Sequence, residues 1–238
     1  METNMPEKPF FVTLKNRGLI YLDGPDRYAF LQGLITNDIE KLTPEKSLYA
    51  CLLSPQGKFL HDFFVIESVE ETTLIDCEGG ARARDLFERL NTYKLRKSVT
   101  LSLDEHKDVY AVFGRNYGWP DPRHSKMGDR CFFIDQRDQK NMPEKPFEEW
   151  DRCRIELTIP DGSRDLIPEK STMDEGNMDR FNAIDYQKGC YVGQELTARM
   201  HYRGLGKKRL QTVSLSDLPN GAELRSTCGD IGIALVKS

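Results

Sequence analysis

A four-residue turn, Ser54-Pro55-Gln56-Gly57, stands between two runs of strand-forming residues, 47–53 and 58–66. Proline and glycine at a corner between two such runs predict an antiparallel hairpin. The segments around it follow suit. Residues 17–22 read as a strand, Asp23-Gly24-Pro25-Asp26 as a turn, and the stretch from Arg27 as a short amphipathic helix with Asp26 as its acidic start. A short strand is expected at 72–76. A helix is expected at 81–95, with Leu86, Phe87, Leu90 and Tyr93 on one face, and further strands at 99–103, 109–114 and 131–135. Antiparallel strands with interspersed helices make an α+β pattern.

The later chain is less regular. WDRCRIELTI, from Trp150, reads as a helix stopped by Pro160-Asp161-Gly162, and an irregular stretch follows to about Phe181. After Gly206 the pattern changes to short strands with turns at 219–221 and 228–230, a small β unit. The heptapeptide NMPEKPF occurs twice, at 4–10 and 141–147, with unrelated flanks, so it is not a structural repeat of the solenoid kind.

With 38% hydrophobic and 30% charged residues, a chain of 238 residues can bury a sizeable core. Its formal net charge of −4 argues against stable nucleic-acid binding over a broad surface. No apolar run reaches the length of a membrane span, and the first residues lack the features of a signal or transit peptide, so a cytoplasmic location is expected. The six cysteines show neither C-x-x-C spacing nor a nearby histidine at zinc spacing, so neither a disulfide framework nor a protein-bound metal is expected. Five lie in or beside apolar or strand-like stretches and read as small core residues.

Cys190 is the exception. In Lys188-Gly189-Cys190-Tyr191-Val192-Gly193-Gln194-Glu195 it stands between two glycines, two residues after a lysine and just before a helix expected to end at Gly204. Glycines allow tight turning and close approach to a ligand, while a neighbouring cation and a helix N-terminus push a thiol toward thiolate. Glu195 and Arg199 stand at i, i+4, as an ion pair requires.

The motif KGCYVGQE resembles the signature of the folate-binding YgfZ-type family, relatives of the glycine-cleavage T-protein (an aminomethyltransferase). Residues 22–27 with 30–38, Pro160-Asp161-Gly162, Pro168-Glu169 and TARMHYRGLGKKR resemble other segments of the same family, so the likeness covers nearly the whole chain. It implies α+β and β subdomains in a ring around a folate site. On that reading, residues 1–205 hold two interleaved α+β subdomains and 206–238 a shortened C-terminal β-barrel. It also implies a tetrahydrofolate-binding accessory factor for assembly or repair of iron–sulfur proteins, affecting tRNA thiomodification indirectly. Reduced folate and iron–sulfur proteins or their assembly machinery would be its partners. The alternative is a folate-dependent aminomethyltransferase. T-proteins carry two aspartates after the first hairpin, whereas the corresponding stretch here keeps only Asp62, with His61 in the other place.

Given that resemblance, Cys190 and Asp62 are the candidate reactive residues. A pterin offers a donor pair that a carboxylate accepts, for which Glu169 and Asp165 are candidates, and an anionic glutamate tail would call on Lys188, Arg199 and Arg203. Asn37 is a further candidate contact. Alternation in the strand FLHDFFVI would set Leu60, Asp62 and Phe64 on one face and His61 on the other.

Overall fold

The computed structural model describes residues 8–68 and 72–237. In chain order its strands begin with β1 (Phe10–Thr13), β2 (Arg17–Asp23), β3 (Leu48–Leu53), β4 (Phe59–Glu67), β5 (Thr73–Glu78) and β6 (Thr100–Asp104). They continue with β7 (Tyr110–Phe113), β8 (Trp119–Pro120), β9 (Asp129–Cys131), β10 (Glu144–Lys145), β11 (Lys208–Ser214), β12 (Glu223–Cys228) and β13 (Ile231–Lys237). The α-helices are α1 (Arg27–Gln32), α2 (Ala81–Lys94), α3 (Gln136–Asn141), α4 (Phe147–Glu156) and α5 (Gln194–Arg203).

The expected hairpin forms the edge of an antiparallel sheet ordered β3-β4-β5-β2-β6. Every residue of β3 and β4 is buried, because both faces of the sheet are covered. On one face Ile20, Leu52, Phe63 and Ile75 pack with Leu31 of α1 and Leu86 and Leu90 of α2. On the other, Tyr49, Phe59, Phe64 and Ile66 share a core with Val12 of β1 and with Trp150 and Ile155 of α4. Full burial of side chains of this size contributes about 1.5–3 kcal/mol each.

Simple alternation fails at one point in β4. Leu52 pairs with His61 but Leu53 pairs with Phe59, so Leu60 is an extra residue in a β-bulge. Leu60 therefore packs with Leu52 and Phe63 on the helix side. Asp62 stays on the face of Phe64, where it meets Tyr49.

A second sheet, ordered β10-β1-β7-β9-β8, is antiparallel except for the parallel pair β1 and β10. The second NMPEKPF segment supplies β10: Glu144 and Lys145 lie opposite Phe11 and Val12, and Met142 is fully buried. Lys145 Nζ sits 3.7 Å over the ring of Phe10, so the two copies of the heptapeptide touch. Most of the first copy lies outside the described residues. Of the expected strand at 131–135, only Cys131 belongs to a strand, the last residue of β9.

The C-terminal segment corrects an expectation. Its strands make an open three-stranded antiparallel sheet, β11-β13-β12, and the described residues contain no closed barrel. Three strands have too little circumference to close on themselves and fill an interior. The sheet instead lies against α4 and places Leu210, Ile233 and Leu235 in the core shared with β1 and β3.

Candidate functional site

The loop carrying Cys190 is built against the hairpin turn. Gly193, the residue before α5, has φ +80°, and a Cβ there would stand 2.4 Å from the carbonyl oxygen of Ser54. Gly57, at φ +74°, is equally close to the first turn of α5: its Cβ would come within 2.6 Å of Leu196 Cβ. These two glycines let two backbones interlock where any side chain would force them apart. Upstream, Asp185 Oδ1 accepts from the N–H groups of Gln187 and Lys188, and its other oxygen pairs with Lys41 at 2.5 Å. Val192 N–H donates to Gly33 O, and Tyr191 is buried.

Lys188 completes the clamp. Its Nζ is buried and donates to three carbonyls at the end of α1 and just beyond: Gln32 at 2.9 Å, Ile35 at 2.8 Å and Asn37 at 2.7 Å. The ammonium is thus directed into the protein and not toward a ligand tail or the thiol. Arg199, the second expected cation, is paired with Glu195 at 2.7 Å, the i, i+4 contact read from the sequence. Of the six cysteines, Cys190 is exposed, Cys51, Cys77 and Cys131 are buried, and Cys153 and Cys228 are intermediate. Gly189 beside it is also exposed, and a Cβ there would meet nothing within 4 Å. Nothing in the fold requires a glycine at that position.

The remaining candidates do not gather around one cavity. Glu169 has its side chain 71% exposed, 3.8 Å from Arg89 of α2. Asp165 is buried: Arg154 Nη1 lies 2.6 Å from one oxygen, which also accepts Asp161 N–H, and the Ser226 hydroxyl takes the other. Both oxygens are therefore committed to holding α4, the following loop and β12 together. Asn37 is buried as well, its amide donating to Tyr49 O and Asn182 O. Arg203 is exposed at the end of α5. A cavity of about 240 Å³ is lined by Asn37, Lys41, Tyr49 and Asn182 among others, with no carboxylate in its wall. That volume falls short of what a drug-sized ligand occupies, and the wall lacks the acceptor a pterin donor pair needs. The expected pterin and tail residues do not fit a tetrahydrofolate held as the resemblance implies. Among the described residues no group of three or more His, Cys, Asp or Glu could hold a metal ion.

Asp62 lies under the sheet, accepting from the Tyr49 hydroxyl at 2.7 Å, with Gly162 so close that a Cβ there would be 3.1 Å from its Oδ1. Burial lifts its carboxyl above the usual range. The Tyr49 hydroxyl and Arg17 oppose that shift, and Asp161 and Glu78 add to it. A folded-state value above the unfolded one means that the native state holds the proton more tightly. Stability then falls as pH rises from the unfolded value through the folded one. Asp62→Asn keeps an oxygen for Tyr49 and removes the buried charge. It should raise the melting temperature at pH 7 by about 2–4 °C, roughly 1 kcal/mol, and by less at pH 4. A fall at neutral pH would show that Asp62 is stabilising where it stands. Its neighbour His61 faces α2, with Nε2 2.7 Å from Asp85, and burial aided by Arg82 lowers its pKa to about 4, against the pull of Asp85.

Sequence reasoning missed the interior ion pairs. Asp76 of β5 receives Arg17 at 2.7 Å on one oxygen and Arg130 at 2.6 Å on the other. The Arg130 guanidinium lies 3.8 Å from the centre of the Phe64 ring, while Arg123 stacks on the same ring at 4.7 Å and pairs with Asp121. A second network links Arg154 and Arg164 to Asp151, with Asp161 on Arg164. Nothing in the spacing of these residues marks them in the sequence. On α5, His201 stacks on Tyr186 at 3.7 Å, tying the helix to the segment that precedes Cys190.

The fold and this loop define a class: an α+β protein with the architecture of aminomethyltransferase T, presenting one surface cysteine on a clamped loop. In structure, the chain is similar to the glycine cleavage system aminomethyltransferase T from Bartonella henselae. The TM-score is 0.72 with 12% identity, over 97% of this chain and 78% of that one, a likeness of fold alone. In sequence, it is 30% identical to an iron-sulfur cluster assembly factor IBA57 homolog, mitochondrial, of Coccidioides immitis, over 94% of this chain. It is 29% identical to the mitochondrial IBA57 of Mus musculus, over 94% of this chain and 76% of that protein. The chain spans 61% of the length of the Coccidioides relative. No protein-family model matches it. In sequence the chain is thus similar over most of its length to proteins named iron-sulfur cluster assembly factor IBA57, and in fold to aminomethyltransferase T.

Proposed function

We propose that this protein is an accessory factor for the assembly or repair of iron–sulfur proteins, and that Cys190 is the thiol it offers to a client or to the assembly machinery. The observation that carries this reading is the contrast in how that loop is built. Lys188, Asp185, Gly193 and Gly57 fix its backbone, yet Cys190 and Gly189 stand exposed with open space beside them. A rigid support under a reactive group is what a site needs if its geometry is to survive docking. The spare glycine lets a partner's backbone approach the sulfur closely.

The iron–sulfur reading stands without a bound folate. Tetrahydrofolate binding, which the resemblance implied, has the shared fold behind it, while Lys188, Asp165 and Asn37 among its expected residues are committed elsewhere. Calorimetry with mono- and triglutamyl tetrahydrofolate tests it, and saturable heat would call for a site other than the one those residues were expected to make. Effects on tRNA thiomodification would be indirect, through an iron–sulfur enzyme, as the net charge of −4 suits a chain without broad nucleic-acid affinity. The relatives' names place those proteins in mitochondria. For this chain a cytoplasmic location is kept as part of the proposal, and cell fractionation tests it. Among the described residues no helix is long and apolar enough to cross a membrane.

Deleting the gene should lower the activity of a [4Fe–4S] enzyme in the host cell. The wild-type chain should restore it, Cys153→Ala should restore it as well, and Cys190→Ala should leave it at the deletion level. Full restoration by Cys190→Ala at equal protein abundance would end the role given to this thiol.

A further inference from the structure

The segment that ends α2 serves no part of the cysteine site. Its C-cap residue is Leu95, at φ 46° and ψ −111°, a conformation in which a side chain with a Cβ is strained. Glycine is the usual residue where a helix ends with positive φ. The leucine gains no burial in return, being 87% exposed. Nor is the segment slack. Ser98 N–H donates to Asp26 Oδ2 at 2.7 Å, Asp26 N–H donates back to Ser98 O at 3.4 Å, and Lys97 N–H donates to Lys94 O at 2.9 Å. Leu95 is held out from the surface on a pinned loop. Beside it lies a concavity of about 800 Å³ lined by Asp26, Tyr93, Lys94, Leu95, Arg96 and Lys97. The Asp26 carboxylate already accepts from Ser98, and among the described residues Lys94, Arg96 and Lys97 make no ion pair. A chain of net negative charge thus gathers three unneutralised cations around one projecting apolar side chain.

We propose that this concavity docks an acidic protein segment carrying an apolar side chain among its carboxylates. The charge calls for an anionic partner. The shape selects a peptide over a bilayer: a flat lipid surface would touch Leu95 and leave the concavity empty, whereas a side chain from a peptide can fill it against Tyr93 and Leu95. A residue kept in strain and exposed is explained by a contact made outside the folded chain. This docking is independent of Cys190 and of the iron–sulfur reading.

The probe is a short fluorescein-labelled peptide with one leucine among glutamates, read by anisotropy. Its controls are the same peptide with glutamines for glutamates, and vesicles of phosphatidylserine and phosphatidylcholine. The glutamate peptide should bind the wild-type chain, more weakly as salt rises, and lose about tenfold or more in affinity to Leu95→Gly and to the triple variant K94E/R96E/K97E. Leu95→Gly relieves the strained φ, so its melting temperature should rise by about 2–4 °C while binding falls, which separates lost docking from lost folding. Equal binding of the glutamine peptide would overturn the proposal, as would unchanged affinity in Leu95→Gly. Tighter binding to vesicles than to the peptide would assign the patch to a membrane surface instead.

Discussion

Under limiting iodoacetamide near neutral pH, Cys190 should be carboxamidomethylated before any other cysteine, and by a wide margin. The reagent attacks thiolate, so rate follows access and thiolate fraction together. Burial lifts Cys77 and Cys131 to about 12, and at neutral pH such a thiol carries ~10³-fold less thiolate than one at the ordinary value of about 8.5. Cys51 is pushed well up as well, by burial and then by the nearby Asp62. Cys153 and Cys228 are partly accessible, but burial raises both, and each is placed to donate its S–H to a backbone carbonyl, Lys126 O and Glu148 O respectively. Cys190 is the exposed one of the six. Peptide mapping by mass spectrometry should show Cys190 modified first, with Cys77 and Cys131 reacting only on unfolding. Of the reasons the sequence offered for the same residue, the structure keeps the helix start after Gly193 but withholds the two cations: the Lys188 ammonium faces three carbonyls and Arg199 faces Glu195. Equal labelling of Cys153 or Cys228 would remove the distinction on which the functional reading rests.

Local signals carried much of the fold. The Ser54-Pro55-Gln56-Gly57 turn, the apolar face of α2 and the stop at Gly204 are each set by neighbours in sequence, and the strands β2 to β7 appear where periodicity and turn residues put them, whereas α3, β8 and β10 were not read and α4 starts at Phe147, ahead of Trp150. What escaped depends on pairing at long range. The bulge at Leu60 arises from how β3 meets β4 near the turn, and no property of Leu60 announces it. The C-terminal strands were legible as strands, but whether three of them close is a matter of circumference and of the α4 surface they lie on. The site was legible to a similar depth. Cys190 stood out because its flanks are polar and glycine-rich. Asp165 read as a free loop carboxylate open to a pterin because its partners, Arg154 and Ser226, are 11 and 61 residues away. The same holds for Asp76, whose two arginines come from β2 and β9. Buried ion pairs of this kind leave no periodic trace, since each member sits in an ordinary local context and only the tertiary fold neutralises it.

Replacing Lys188 with methionine should cost about 3–5 kcal/mol of stability, measured by urea unfolding at pH 7. Methionine keeps the apolar stem but leaves the carbonyls of Gln32, Ile35 and Asn37 without their donor, and a buried acceptor stripped of its partner costs about 1–3 kcal/mol. The pH profile separates this from a simple packing defect. Burial lowers the Lys188 ammonium from its ordinary value to about 8, with Asp38 and Asp185 pulling the other way. Between about pH 8 and 10.4 the unfolded chain then binds more protons at this residue than the native one does. Its contribution to stability therefore grows as pH rises through that window and is smallest below it. The neutral amine still has two protons to donate, so the carbonyl contacts are retained in part, whereas methionine supplies none at any pH. The gap between wild type and Lys188→Met should accordingly widen from pH 8 to pH 10. Because the ammonium ties the Cys190 loop to the end of α1, amide exchange at Gly189 to Val192 should quicken in the variant before global unfolding does. A variant as stable as wild type, with a parallel pH profile and unchanged exchange, would mean that the clamp under Cys190 lies elsewhere, in Asp185 and the interlocked Gly57 and Gly193.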